Sequence, residues 1–170
     1  MAPRVVSELT AHPERLKLGG EVRDLTILVC DIRNFSAIAE RLNAEELTTF
    51  INSFLTPLSD VIIESGGTID KYMGDAILAF WNAPLDQADH AQRACGAAHE
   101  IIARIPNLNL TWRREAEAAG RVFEDVRIGI GVNSGECCVG NLGSERRFDY
   151  SAIGDAVNIA SRLEGLSKIY

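Results

Sequence analysis

The sequence predicts an α+β domain in which helices pack on a largely antiparallel sheet. Three observations carry that prediction: an unbroken apolar run, LTILVC at 25–30; short β-like runs paired around tight turns; and stretches of helical periodicity between them. In order, the elements read β-α-α-β-β-α-β-β-β-α. The chain has 170 residues, 46% hydrophobic and 24% charged, the balance of one globular domain with an ordinary core.

Residues 1–22 contain Pro3, His12, Pro13 and Gly19-Gly20 without a sustained period and read as a leader or linker, so the ordered domain (23–170) is expected to start at Arg23. LTILVC ends in Asp31, the pattern of a buried strand whose last residue faces a cleft. After Phe35 a short helix is expected to about Leu42, and Asn43 followed by Glu46 forms a capping box for a second. Leu47, Phe50, Phe54, Leu58, Val61 and Ile62 then recur at helical spacing, one apolar stripe directed at the core. Gly66-Gly67 stops that helix. TIDKYM and AILAFW flank Met73-Gly74-Asp75, a hairpin with Asp75 at its tip. A third helix is expected over 88–105, and the polar stretch 107–120 reads as a short helix or surface excursion. RIGIGV, a turn at Asn133-Ser134-Gly135 and CCVGNL predict a second hairpin, followed by a charged loop over 143–147. A strand at 150–153 leads into a last helix at 154–166.

A net charge of −7 offers no basic face to a nucleic-acid backbone or an anionic lipid surface, so any nucleotide must be met locally. Cys30, Cys95, Cys137 and Cys138 have no CxxC spacing, and the default is a reduced, cytoplasmic compartment. No apolar run reaches the roughly 20 residues of a membrane span, and no signal-peptide core is seen at the N-terminus.

Asp31 at a strand end and Asp75 at a hairpin tip can meet at one sheet edge, where two hard carboxylates suit magnesium or manganese. Each alone is equally a helix cap or a turn residue. The IRNFS segment after Asp31 could present backbone amides to phosphates at a helix start, and no GxxxxGK[ST] loop is present to do so instead. Asn158 and Arg162 lie four residues apart on one helical face, with Asp155 a turn earlier. Arg162 could stabilise phosphoryl charge, or pair with Glu164 or solvent.

Read together, CDIRNF at 30–35, GGTIDKYMGDAILAFW at 66–81, RIGIGVNSG at 127–135 and FDYSAIGDAVNIASRLE at 148–164 resemble the class III nucleotidyl cyclase family. The match covers nearly everything after residue 20, with four blocks in order and in spacing. The resemblance implies a ferredoxin-like, palm-like antiparallel fold and two divalent ions, Mg2+ or Mn2+, on Asp31 and Asp75, with Ile32 adding a backbone contact. It further implies phosphate contacts from Asn34, Phe35 and Arg127, base reading by Lys71 and Ser151, ribose orientation by Asn158 and transition-state stabilisation by Arg162.

Adenine N1 accepts a hydrogen bond and its N6 amine donates one, whereas guanine reverses both. Lys71 donates and the Ser151 hydroxyl can accept, and guanylate cyclases resemble this scheme with an acidic residue in place of the lysine. The expectation is therefore ATP as substrate, cyclic AMP as product, and a homodimer whose two sites are each built from both chains. Serine at 151 places the chain near a Thr-bearing subgroup, some members of which respond to bicarbonate. Members of the family usually continue beyond SRLEGLSK with further strands, and PERLKLGGE is similar to the approach to cyclase domains that follow membrane or sensor domains. The alternatives are a catalytically silent, ATP-binding dimerisation module and a cyclic-dinucleotide synthase. The second lacks its GGDEF or GGEEF tip, Met73-Gly74-Asp75 standing in that turn.

Overall fold

A computed structural model describes residues 18–167. Its elements are β1 (Gly19–Ile32), α1 (Phe35–Ala39), α2 (Ala44–Glu64), β2 (Thr68–Met73), β3 (Ala76–Trp81), α3 (His90–Ala118), β4 (Ile128–Ser144), β5 (Arg147–Ile153) and α4 (Asp155–Leu166). The five strands form one antiparallel sheet in the order β2-β3-β1-β4-β5. The α+β expectation is met.

Strand alternation sends β1 to two cores. Leu28 and Cys30 join Ile77, Ala79 and Trp81 of β3 against Phe54, Leu58 and Ile62 of α2 and Ile101 of α3. Leu25, Ile27 and Val29 join Leu78 and Phe80 on the opposite face, against Ala156 and Ala160 of α4. The run that reads as continuously apolar is thus buried on both sides, as a central strand requires.

Helix α2 starts where its capping box puts it. Asn43 Oδ1 accepts from the Glu45 and Glu46 amides at 3.0 Å each, and Glu46 Oε2 accepts from the Asn43 amide at 3.0 Å. The hairpin of β2 and β3 turns through Gly74 at φ 68°, a left-handed conformation that glycine takes without steric cost.

Four expectations need correction. β1 begins at Gly19 rather than Arg23, because Gly19 to Val22 pair with Asn141 to Cys138 of β4. Residues 1–17 of the expected leader lie outside the described residues. No turn occurs at Asn133-Ser134-Gly135: these residues pair with Ile27, Thr26 and Leu25 inside a single 17-residue strand, so the sheet has five strands rather than six. Ser134 Oγ meets Thr26 Oγ1 at 2.7 Å and Asn133 Nδ2 donates to the Ala156 carbonyl at 3.2 Å, so turn-forming side chains find long-range partners instead. The expected charged loop over 143–147 shrinks to a turn at Glu145-Arg146 between β4 and β5.

The third helix does not stop at Ile105 but runs through Pro106 to Ala118. Proline removes one helical hydrogen bond, yet Asn109, Trp112 and Ala116 beyond it are buried on the inner face. Trp112 meets Phe50 edge-on at 5.5 Å between ring centroids and donates from Nε1 to Ser53 Oγ at 2.8 Å. Asn109 bridges the backbone of Val126, donating to its carbonyl at 2.9 Å and accepting its amide at 2.8 Å. That bridge fixes the approach to β4.

Helix α4 lies so close to β4 that two positions have no room for a side chain. A Cβ at Gly131 would collide with the Ala160 carbonyl oxygen, and one at Gly129 with the Arg33 guanidinium and the Glu164 carboxylate. The glycines of RIGIGV therefore set the depth of the helix. Among the described residues no helix is long and apolar enough to cross a membrane, and all four cysteines are free.

Asn109→Ala should cost about 2–4 kcal/mol in urea unfolding, because it leaves the buried Val126 amide and carbonyl without partners. A loss below 1 kcal/mol, on the order of a single exposed contact, would show that this bridge does not hold the segment before β4.

Candidate functional site

β3 lies beside β1 with Cys30 opposite Ile77, so the next positions toward the sheet edge carry Asp31 and the tip of the β2–β3 hairpin. There the two expected aspartates meet. The Ile32 amide donates to Asp31 Oδ1 and to Asp75 Oδ2, each at 3.1 Å. Burial, a hydrogen bond with Asp31 and the repulsion of its charge push Asp75 up from 3.8 to about 7. Burial also raises the Cys30 thiol, with Asp31, Glu164 and Asp75 adding to the shift, so this cysteine is protonated core and not a nucleophile.

Two carboxylates side by side, one of them raised chiefly by burial and further by its neighbour's hydrogen bond and charge, are a donor set that a divalent cation would favour in the ionised form. They are hard oxygen ligands, and the Ile32 backbone lies between them, so the residues present fit magnesium or manganese. Among the described residues no group of three or more His, Cys, Asp or Glu is placed to hold a metal ion.

The turn after β1 carries the candidate phosphate contacts. Asn34 adopts a left-handed conformation at φ 54°, ψ 33° and opens α1. Phe35 packs its ring against the core, which leaves its backbone for any phosphate contact. The Arg33 amide donates to the Arg127 carbonyl at 2.8 Å, so exposed Arg127 stands next to this turn.

Arg33 carries no local sequence signal of its role. Its guanidinium pairs with buried Glu164 at 3.3 Å, donates to the Glu164 carbonyl at 3.3 Å and reaches Ser167 Oγ. This ties the turn beside Asp31 to α4. It also removes one partner considered for Arg162: Glu164 is taken by Arg33, and Arg162, exposed on α4, faces solvent and makes no ion pair among the described residues. Asn158 is exposed on the same helix.

A second cluster joins the two edge strands. Ser151 on β5 donates to both oxygens of Asp70 on β2, at 2.9 and 2.8 Å, and the Ala152 amide donates to Asp70 Oδ2 at 3.1 Å. Lys71 Nζ lies 3.3 Å from Asp70 Oδ1. The sheet therefore coils until its edges touch. Lys71 and Ser151 both contact Asp70, which alternation along TIDKYM would have sent to the face opposite Lys71. No hydrogen bond or ion pair among the described residues links this cluster to the Asp31–Asp75 pair.

Residues 20–169 match the family model described as the adenylate and guanylate cyclase catalytic domain. The chain belongs to that family. An adenylate cyclase of Rhizobium meliloti (strain 1021), "Adenylate cyclase 1", is 34% identical over 148 residues, covering 87% of this chain and 21% of the relative. The chain thus spans about a fifth of that relative's length. Among solved structures, the guanylyl cyclase Cya2 superposes with a TM-score of 0.79 at 38% identity, over 87% of this chain and 72% of the other. The adenylyl cyclase CyaB from P. aeruginosa gives a TM-score of 0.80 at 36% identity, over 87% of this chain and 74% of the other. Similar likeness to an adenylyl and a guanylyl enzyme means that the fold of this cyclase domain does not choose the base.

The raised Asp75 has a consequence for stability. Between 3.8 and about 7 the folded domain holds a proton that the unfolded chain has released, so this group's contribution falls as pH rises through that window. Without metal, the thermal midpoint of Asp75→Asn should gain on that of the wild type from about pH 4 to about pH 7 and then level off. Manganese should narrow the gap by stabilising the wild type alone. A gap that is flat in both pH and manganese would remove the carboxylate pair as a metal site.

Proposed function

We propose that this domain is an adenylate cyclase, forming 3',5'-cyclic AMP and pyrophosphate from ATP in a symmetric homodimer with two Mg2+ or Mn2+ ions. The observation that carries the reading is the convergence of Asp31 and Asp75 at the Ile32 amide, which donates to both carboxylates at 3.1 Å. The named adenylate cyclases among its relatives support it.

Asp31, Asp75 and the Ile32 backbone would hold the ions, which when bound lower the pKa of the ribose 3'-hydroxyl and neutralise phosphate charge. The reaction is an intramolecular displacement: the 3'-oxygen forms a bond to the α-phosphorus as the bond to pyrophosphate breaks. The chain contributes position and charge. The turn at Asn34 and Phe35, with Arg127 beside it, receives the triphosphate. Lys71 donates to adenine N1 and Ser151 accepts from the N6 amine. Asn158 orients the ribose so that the 3'-oxygen lies in line, and Arg162 meets the charge that develops on the transferring phosphoryl group.

The exposure of Asn158 and Arg162, without partners from the Asp31–Asp75 cluster in the same protomer, supports a site shared between two chains. One chain carries every part, so a two-fold dimer holds two equivalent sites.

Purified protein with manganese should convert ATP to cyclic AMP, and Asp75→Ala should abolish that turnover, as should Arg162→Ala. An equal mixture of the two inactive variants should recover about a quarter of wild-type activity, since half the dimers are mixed and each rebuilds one site of two. A mixture as inactive as its components contradicts the shared site. ATP binding and dimerisation by the wild type without product would make this a silent regulatory module.

A further inference from the structure

We propose that Asp70 sets the base preference of this domain by capturing the proton of Ser151, which leaves the serine hydroxyl able only to accept. The inference rests on the cyclase reading above and adds a positioning residue that does not itself touch the base.

The geometry begins with an irregularity in β2. Ile69 pairs with Ala79 and Lys71 with Leu78, so Asp70 is an extra residue, a β-bulge. Bulges re-aim side chains. Here the Asp70 side chain is fully buried, at 0% exposure, while its neighbour Lys71 is 48% exposed. A buried carboxylate needs partners, and Asp70 has the Ser151 hydroxyl, the Ala152 amide and the Lys71 ammonium.

The hydrogen inventory gives this arrangement its meaning. A serine hydroxyl has one proton and two lone pairs, and an ammonium has three protons. Ser151 spends its one proton on Asp70, at 2.8 and 2.9 Å to the two oxygens, and keeps only acceptor capacity. Lys71, with one N–H toward Asp70, keeps two donors. The pair therefore offers one donor and one acceptor in fixed order, which complements adenine N1 and its N6 amine. Guanine presents N1–H to the lysine and O6 to the serine oxygen, two like-with-like contacts. A serine free to rotate could donate to O6 and accommodate guanine; the carboxylate of Asp70 denies it that rotation.

The test measures kcat/KM for ATP and for GTP, with manganese, in the wild type, Asp70→Ala and Asp70→Asn, together with thermal unfolding of each. Asp70→Ala should lower the ATP-to-GTP ratio by about tenfold or more, through a gain for GTP as well as a loss for ATP. Asp70→Asn, whose amide oxygen can take the place of Oδ2 toward Ser151 and Ala152, should hold the ratio within about threefold of the wild type. If Asp70→Ala does not fold, Asp70→Ser answers the same question, since its hydroxyl can donate to Ser151 and so release the serine proton; the ratio should fall there too. Variants that fold and lose both nucleotides in equal proportion would reduce Asp70 to a tie between β2 and β5 and overturn the inference. A wild type that prefers GTP overturns it as well, while leaving the domain a cyclase. A wild type that makes no cyclic product from either nucleotide sinks the cyclase reading and this inference with it.

Discussion

The ladder between β1 and β4 is the constraint from which the rest of the domain follows. It runs from Gly19 opposite Asn141 to Ile32 opposite Ile128 without a break in register. One end of it delivers Asp31 to the sheet edge, and the other carries the start of the β4–β5 arm that brings Ser151 round to β2. A slip of one residue would send Leu25, Ile27 and Val29 to the face now filled by Leu28 and Cys30 and would turn Asp31 away from Asp75. The two cores make such a slip costly, because both faces of β1 are packed and each accepts only its own set of side chains.

Electrostatics then act locally, within a chain whose net charge of −7 would otherwise repel a nucleotide. Four carboxylates near the candidate site are handled in three ways. Asp31 and Asp75 share one amide, and burial first, then the hydrogen bond and charge of Asp31, raise Asp75 to about 7. Asp70 is buried and satisfied by a hydroxyl, an amide and an ammonium. Glu164 is buried and paired with Arg33, which ties α4 to the turn after β1. The first arrangement is unstable by design of its neighbours, and the other two are closed.

What could be read from the sequence was whatever local chemistry determines. The Asn43–Glu46 capping box, the stripe of α2 and the glycine at the tip of the β2–β3 hairpin each act within a few residues, and each stands where it was expected. The same local reasoning misplaced Asn133-Ser134-Gly135 and Pro106, because distant partners outweigh turn and breaker propensities: Thr26 and Ala156 for the former, and the packing of Trp112 on Phe50 for the latter. Of the site, the residues with a distinctive chemical type were legible, but their supports were not. Asp70 is hidden by a bulge that breaks strict alternation, and Arg33 by a partner more than a hundred residues away.

The exposed face of α4 carries a thermodynamic consequence. Asn158 and Arg162 lie exposed on it, and Arg162 makes no ion pair among the described residues, so nothing described holds its long side chain in one rotamer. Restricting a side chain of that length costs about 2 kcal/mol in conformational entropy. Whatever orders it, whether a second protein surface or a nucleotide, must supply that free energy before any chemistry starts. The Asp31–Asp75 pair needs no such contribution, because the Ile32 amide already holds it within the fold.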